Sequence, residues 1–195
     1  MAYWISIPII ILIALVIFRG FARRDYLKDG SLSAFSTFLE FLIFGLHANQ
    51  PYLYLKTPWP QFPPLPASSF QIIAGFLVIS LGLLATLAIM AHLGFGITVG
   101  EQPQQLRRTG PYAWSRNPQL LTYAVVLLGF AILYPSWQAA AWVVLYGVIA
   151  QIMVLTEEEH LKKVFKAEYQ DYCHQVPRYF GLASTRKNPL EESKE

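Results

Sequence analysis

The chain has 195 residues, of which 54% are hydrophobic, 15% aromatic and only 14% charged. This composition argues against an ordinary soluble domain and indicates a membrane protein. The net charge of +3 does not indicate nucleic-acid binding, because the basic residues form no single stripe and no nucleic-acid motif is present. The single cysteine, Cys173, excludes an intramolecular disulfide, and no spaced set of cysteines and histidines predicts a metal site.

Five apolar segments follow one another along the chain, and a helix needs about 20 residues to cross a bilayer core of about 30 Å. The second segment is the weakest, because Glu40, His47 and Pro51 interrupt it. Pro135 and Ser136 predict a tight hairpin between the last two segments. The predicted spans are residues 3–18, 35–55, 70–91, 118–134 and 137–155.

The distribution of lysine and arginine predicts the orientation of these spans. Every basic residue except Lys56 falls in segments that share one side of the membrane if the N-terminus lies outside. Because basic loops stay on the cytoplasmic side, we expect five spans with the N-terminus outside and the C-terminus in the cytoplasm.

A charged but periodic segment follows the fifth span. Its apolar residues, among them Leu161, Phe165 and Tyr169, recur at intervals of three and four residues. This spacing predicts a cytoplasmic amphipathic helix that begins near Thr156 and ends before Pro177. The predicted fold class is therefore all-α: an integral membrane protein with about five transmembrane helices and a C-terminal amphipathic helix.

Three consecutive acids open this segment, and Glu157 differs from its neighbours. Glu158 and Glu159 each have a lysine four residues later, which predicts ordinary pairs on the helix surface. Glu157 instead lies on the apolar face, with Leu161 four residues on. An acid at the membrane boundary is costly unless it lines a polar cavity or meets a cation from another helix.

Arg116 offers such a cation at the start of the fourth span. An antiparallel hairpin brings the start of the fourth span close to the end of the fifth, so Arg116 and Glu157 are predicted to share one site. Asn117 and Pro118 place a helix N-terminus there, with its free amides and positive dipole end. A simpler interpretation, in which Arg116 is only an interfacial anchor, stays open.

Two motifs now carry a family resemblance. GPYAWSRNPQLL at residues 110–121 and EEEHLKKVFKAEYQDYCHQVPRYF at residues 157–180 resemble the C-terminal half of the isoprenylcysteine carboxyl methyltransferase and phospholipid methyltransferase superfamily. That family combines G-P-Y, then R-H-P or R-N-P, an apolar span, a Glu-Glu pair, F-x-x-x-Y-x-x-Y and V-P-R. The first half of the chain matches only in topology.

The resemblance implies one membrane methyltransferase domain over residues 1–195: N-terminal spans (1–91), a cofactor-binding hairpin with the C-terminal helix (92–180) and a polar tail (181–195). It implies S-adenosylmethionine as cofactor, a lipid-like or hydrophobic acceptor bearing a carboxyl or amine group, contact with membrane lipids, and no nucleic-acid partner. Arg116 and Glu157 would orient cofactor and acceptor. The residues carried over to the cofactor pocket are Gly110, Tyr112, Arg116, Asn117, Pro118, Glu157 and Glu158, and those carried over to the acceptor side are Tyr169, Tyr172 and Arg178.

The sequence departs from the family pattern at two informative positions. Asn117 stands where the prenylcysteine enzymes have histidine and instead matches the R-N-P form of many bacterial relatives, which implies a prokaryotic inner membrane. Lys166 stands where the family commonly has glycine.

Two other functions stay open. DYCHQVP at residues 171–177 is also similar to the C-terminal pattern of sterol reductases, which bind NADPH. A noncatalytic membrane protein that binds lipid headgroups at the same polar residues is the third hypothesis. Among the remaining acids, Glu40 in the second span is predicted to pair with a buried partner or to touch the acceptor.

Overall fold

The protein is described by a computed structural model that covers residues 1–94 and 105–180. Within these ranges the chain forms helices and no β-strand. The predicted all-helical membrane fold is therefore confirmed. The polar tail predicted for residues 181–195 lies outside the described residues.

The N-terminal part contains one long helix and one interrupted helix. Helix α1 (Ala2–Lys28) is continuous and includes a π-helical stretch over Val16–Ala22. Helix α2 (Ala34–Ala48) begins after Ser33, whose Oγ accepts a hydrogen bond from the Ser36 backbone N–H at 3.2 Å. A short helix α3 (Pro51–Leu55) follows, so the second predicted span is broken before Pro51, which has no backbone N–H to continue the helix.

Helices α4 (Ser69–Leu93) and α5 (Pro118–Leu133) pack closely along most of their length. Glycine permits this approach: a Cβ atom on Gly82 would lie 2.8 Å from the Val126 backbone nitrogen, and one on Gly129 would lie 2.7 Å from that of Ile79. Thr86 Oγ1 donates a hydrogen bond to Thr122 Oγ1 at 2.9 Å across the same contact. Small residues at such contacts are typical of helix packing in membranes.

Helix α6 (Trp137–Gln175) is the longest element. Ser136 begins it by accepting a hydrogen bond from the Ala139 backbone N–H at 3.0 Å, which confirms the hairpin predicted at Pro135 and Ser136. The prediction that a separate helix begins at Thr156 is wrong, because α6 runs through this position without a break. Its interruption lies at Lys166, with φ 45° and ψ −119°, and the helix ends before Pro177 as predicted.

Among the helices in residues 1–94 and 105–180, three, α1, α4 and α6, are long and apolar enough to cross a membrane. Helix α5 has 16 residues and α2 has 15, which is short for an untilted span. The count of five spans therefore stays a prediction, although each predicted segment is helical. The interior of the bundle is apolar where α1, α2 and α6 meet, around Phe18, Ile43 and Ile149.

Candidate functional site

One end of the bundle contains a polar cavity, and we call this end of the molecule the cavity end. Glu40 of α2, residues at the start of α5, and α6 beyond Thr156 contribute to its walls. The lining residues are Tyr26, Glu40, Leu93, Gln105, Leu106, Arg107, Tyr112, Arg116, Asn117, Gln119, Glu157, Glu158, His160, Leu161, Tyr169 and Tyr172. Segments far apart in sequence therefore meet at one site, which carries carboxylates, guanidinium groups and tyrosine hydroxyls.

Glu158 is the centre of the ionic contacts at this site. Arg116 Nη1 lies 2.9 Å from Glu158 Oε1, and Arg178 binds the same carboxylate through Nε at 2.9 Å and Nη2 at 2.7 Å. The Glu158 side chain is only 5% exposed and that of Arg116 11%. These hydrogen bonds raise the pKa of Arg178 above its usual value. A buried carboxylate between two guanidinium groups fixes the Arg116 guanidinium at the wall of the cavity, with Arg178 behind Glu158.

The segment after α6 is tied to the start of α5 by backbone contacts. The Arg116 backbone N–H donates to Pro177 O at 3.0 Å. Ser115 Oγ and Asn117 Nδ2 both donate to Arg178 O, at 3.2 Å and 3.1 Å. Asn117 occupies the cap position of α5 but makes no side-chain capping bond; its amide instead holds the C-terminal segment.

Tyrosines close the cavity on the side of α6. Tyr172 donates a hydrogen bond to Tyr112 O at 2.7 Å, and Arg116 Nη1 lies 3.5 Å from Tyr169 Oη and 2.7 Å from Cys173 Sγ. Burial raises the pKa of Tyr112, so this phenol stays neutral and acts through hydrogen bonds. The Nε of Arg116 is buried and has no hydrogen-bond partner within the described ranges.

Glu157 lines the cavity, as predicted, but its neighbours differ from expectation. The arginine at the start of α5 pairs with Glu158 rather than with Glu157, and the described part of the chain contains no hydrogen bond or ion pair to Glu157. The expected pairing of Glu158 with Lys162 is wrong, because Arg116 and Arg178 hold that carboxylate. Successive residues on a helix point about 100° apart, so only one of the two acids faces the arginines.

The predicted site residues divide into two groups. Tyr112, Arg116, Asn117, Glu157, Glu158, Tyr169 and Tyr172 line the cavity. Gly110 and Pro118 line a neighbouring apolar groove with Trp114 and Tyr179, and Arg178 reaches the site only through Glu158. Gly110 has φ 61°, and a Cβ there would lie 3.1 Å from His92 Nε2, so it shapes the turn and does not line the cavity.

Comparison with known proteins identifies the family. Residues 70–168, just over half of the chain, match the family model described as Phospholipid methyltransferase. The chain belongs to this family. The resemblance seen in its two motifs is confirmed, and its apolar helices fit an integral membrane protein.

One curated relative matches a similar fraction of the chain length. The nickel-cobalt-cadmium resistance protein NccN of Alcaligenes xylosoxydans xylosoxydans is 27% identical over 109 residues, which are 55% of this chain and 51% of NccN. The chain thus spans about half the length of this relative. No solved structure matches.

Two cavity residues precede the segment that matches the family. Tyr26 of α1 stacks on His160 of α6, with ring centroids 4.5 Å apart, and Glu40 comes from α2. The sequence motifs could not place Tyr26, since nothing in its local pattern points to α6. An acid within an apolar segment was the available signal for Glu40.

The described ranges contain no group of three histidine, cysteine, aspartate or glutamate side chains that could hold a metal ion. His160 lies in the cavity wall, and its Nε2 is buried without a hydrogen-bond partner among the residues described. The carboxylates, guanidinium groups and tyrosine hydroxyls at the cavity end are suited to an organic ligand that offers both hydrogen-bond donors and a negative group.

Proposed function

We propose that the protein transfers a methyl group from S-adenosylmethionine to a lipid-like or hydrophobic acceptor at the cytoplasmic face of the membrane. One observation carries this proposal: a methyltransferase family segment contributes to the same cavity a largely buried arginine and a carboxylate that has no partner among the described residues. Arg116 and Glu157 are the residues that we assign to orientation of the cofactor and the acceptor.

The functional groups of the cavity match those of the cofactor. A guanidinium such as that of Arg116, whose buried Nε has no partner in the part of the chain that the structure describes, suits the methionyl carboxylate. The free carboxylate of Glu157 suits either the ammonium group or the ribose hydroxyls. Asn117 and Tyr112 offer further hydrogen-bonding atoms at the same wall.

The size of the cavity adds a condition to this assignment. Its volume within the described residues is about 140 Å³, whereas pockets that bury most of a drug-sized ligand have roughly 300–1,000 Å³. We therefore expect the walls to move apart when the cofactor binds, or part of the cofactor to stay outside this volume.

In this proposal the protein contributes position and charge. Adenosylmethionine supplies the methyl group, and its sulfonium sulfur leaves as a neutral thioether. Glu158 and Arg178 hold the Arg116 guanidinium in place, which makes them positioning residues. Tyr169 and Tyr172 close the cavity on the acceptor side and limit access of water. Alignment of two reactants of this kind can supply effective molarities of about 10⁵–10⁸ M.

The arrangement of charges supports a cytoplasmic location for the cavity. Arg19 and Arg23 of α1 pair with Glu159 at the cavity end, and Arg107, Arg108 and Arg116 belong to the same end. Lys56 follows α3, on the far side of α2 from these residues. Basic residues concentrate on the cytoplasmic side of membrane proteins, so the cofactor would enter from the cytoplasm and the acceptor from the bilayer.

Isothermal titration of the full-length protein in detergent with S-adenosylhomocysteine tests the proposal. We expect binding by the unchanged protein and a loss of at least about tenfold in affinity, equivalent to about 1.4 kcal/mol, for Arg116→Ala and for Glu157→Gln. The control is Lys162→Ala, an exposed position outside the cavity, which should bind as the unchanged protein does.

The same titration with NADPH separates the reductase alternative. Binding of NADPH without S-adenosylhomocysteine would contradict the proposed cofactor. Binding of phospholipid vesicles with neither nucleotide would favour a noncatalytic lipid-binding role. Mass spectrometry of lipids after incubation with isotopically labelled adenosylmethionine would then identify the methylated acceptor.

A further inference from the structure

Glu40 is an acid in the cavity wall for which the family motifs give no role. It lies on α2, outside residues 70–168, and lines the cavity formed mainly by α6 and the segment before α5. Its Oε1 is buried and has no hydrogen-bond partner in the described parts of the chain. No ion pair of Glu40 occurs within those parts either.

An acid in this position requires a ligand or a proton. A carboxylate inside a membrane protein is costly unless it meets a cation, a hydrogen-bond donor or water in a cavity. Arg116 is engaged by Glu158, and so is Arg178. Glu40 therefore presents an acceptor atom, unpartnered among the described residues, to the same space as Glu157 and the unpartnered Nε2 of His160, and a bound molecule in this space would supply the missing donor.

We propose that Glu40 binds the methyl acceptor and removes the proton from its nucleophilic atom. This assignment rests on the proposed methyl transfer and divides the two free acids: Glu157 serves the cofactor and Glu40 serves the acceptor. It makes Glu40 a catalytic residue contributed by a helix outside the family segment.

For a protonated amine, methyl transfer follows removal of one proton. The Glu40 carboxylate accepts one proton from the ammonium group and becomes a neutral acid, which leaves a free lone pair on nitrogen. That lone pair forms the new N–C bond to the methyl group while the C–S bond of adenosylmethionine breaks, and its electron pair stays on sulfur as the thioether. The positive charge thus moves from sulfur to the methylated nitrogen.

The placement of Glu40 also predicts the class of acceptor. An ionised carboxylate has no proton for Glu40 to remove, and in this cavity it would be repelled by the acids but attracted by Arg107 and Arg116. A protonated amine on a lipid-like molecule needs a base before it can attack. Among the two acceptor groups left open by the sequence, only the amine therefore makes use of Glu40 as a base.

Other titratable groups share the cavity and bear on its pH dependence. From α1 and α6 these are Tyr26, Glu157, Glu158, His160, Tyr169 and Tyr172, and from the segment before α5 they are Arg107, Tyr112 and Arg116. A comparison of the unchanged protein with Glu40→Gln leaves all these other groups in place, so a difference in rate between the two reports on the Glu40 carboxylate. Glu40→Gln retains the shape of the side chain and cannot accept the proton.

The test uses the full-length protein in mixed micelles with labelled adenosylmethionine and either dodecylamine or dodecanoate as the probe. We expect label in dodecylamine and not in dodecanoate, and a loss of about 100-fold or more in rate for Glu40→Gln. The rate of this variant should rise with pH more steeply than that of the unchanged protein, because deprotonated amine then comes from solution. Glu159→Gln, which changes an acid outside the cavity, should retain the rate.

Affinity for S-adenosylhomocysteine separates this inference from the proposed function. If the unchanged protein binds no S-adenosylhomocysteine, the proposed function fails. If it binds, but dodecylamine receives no label, dodecanoate is preferred or Glu40→Gln retains the rate, only the role of Glu40 is overturned. Loss of S-adenosylhomocysteine binding in Glu40→Gln equal to that in Glu157→Gln would assign Glu40 to the cofactor and also overturn the inference.

Discussion

The cavity end and the contact between α4 and α5 hold helices together by different physical means. At the cavity end, Arg116 and Arg178 converge on Glu158, and side chains from distant segments supply the contacts. Between α4 and α5, backbones approach each other at Gly82 and Gly129 with almost no side chain between them. Lipid chains are as apolar as helix surfaces, so close packing must supply the attraction in the second region.

This difference determines which changes each region tolerates. A charged group at the cavity end can be altered without steric conflict, but its partners are then left unpaired in a poorly hydrated place. The contact between α4 and α5 contains few polar groups, yet it has no room for one added methyl group. Three pairs of matched substitutions test this contrast.

The largest effect is expected from Glu158→Gln, compared with Glu159→Gln. The Glu158 side chain is 5% exposed and holds two arginines, whereas that of Glu159 is 29% exposed and pairs with half-exposed arginines. We expect a loss of about 3–5 kcal/mol in the free energy of unfolding for the first and about 1 kcal/mol or less for the second. Equal losses in unfolding experiments in detergent would show that the ionic centre does not stabilise the cavity end.

An intermediate effect is expected from Gly82→Ala, compared with Gly45→Ala. The new Cβ at position 82 meets the Val126 backbone nitrogen at 2.8 Å, whereas no atom lies within 4 Å of a Cβ at position 45. Because backbone atoms cannot move aside as a flexible side chain can, we expect Gly82→Ala to destabilise the protein by about 1–3 kcal/mol. Gly45→Ala should be neutral or stabilising by up to about 1 kcal/mol, and the opposite order in melting temperature would contradict the described packing.

The smallest effect is expected from Lys166→Gly, compared with Lys162→Gly. Lys166 has φ 45°, a conformation that costs a non-glycine residue about 1 kcal/mol or more. Glycine at this position should therefore raise the free energy of unfolding by about 1 kcal/mol, while the same change at the regular helical position 162 should lower it by about 1 kcal/mol. A destabilising Lys166→Gly would indicate that α6 is not interrupted there.

Much of the fold could be predicted because apolar length and charge placement act locally. Each predicted span is helical, and Pro118 and Ser136 begin helices where their chemistry favours it. The length of α6 was harder to predict, because the change from an apolar to a charged sequence at Thr156 resembles a boundary. Helix propensity stays high across that change, and the actual interruption at Lys166 coincides with the position where the family commonly has glycine.

The site was predicted in part for a similar reason. The sequence predicted that Glu157 and Arg116 lie near each other, since a hairpin joins their helices. It could not show which acid faces the arginines, because a rotation of about 100° between neighbours decides this and depends on the packing of the whole helix. Arg178 also pairs with Glu158 only because the chain turns back after Pro177 onto the start of α5.

The amino-acid sequence by itself determined that this is a helical membrane protein with a methyltransferase motif, since hydropathy, basic residues and short motifs are properties of local chain segments. Only the tertiary structure determined that Glu158 holds both arginines, that Tyr26 reaches His160, and that Glu40 of α2 faces the cavity. These contacts join residues more than a hundred positions apart in some cases. They depend on how helices rotate and pack against one another, and no local pattern in a single chain encodes that geometry.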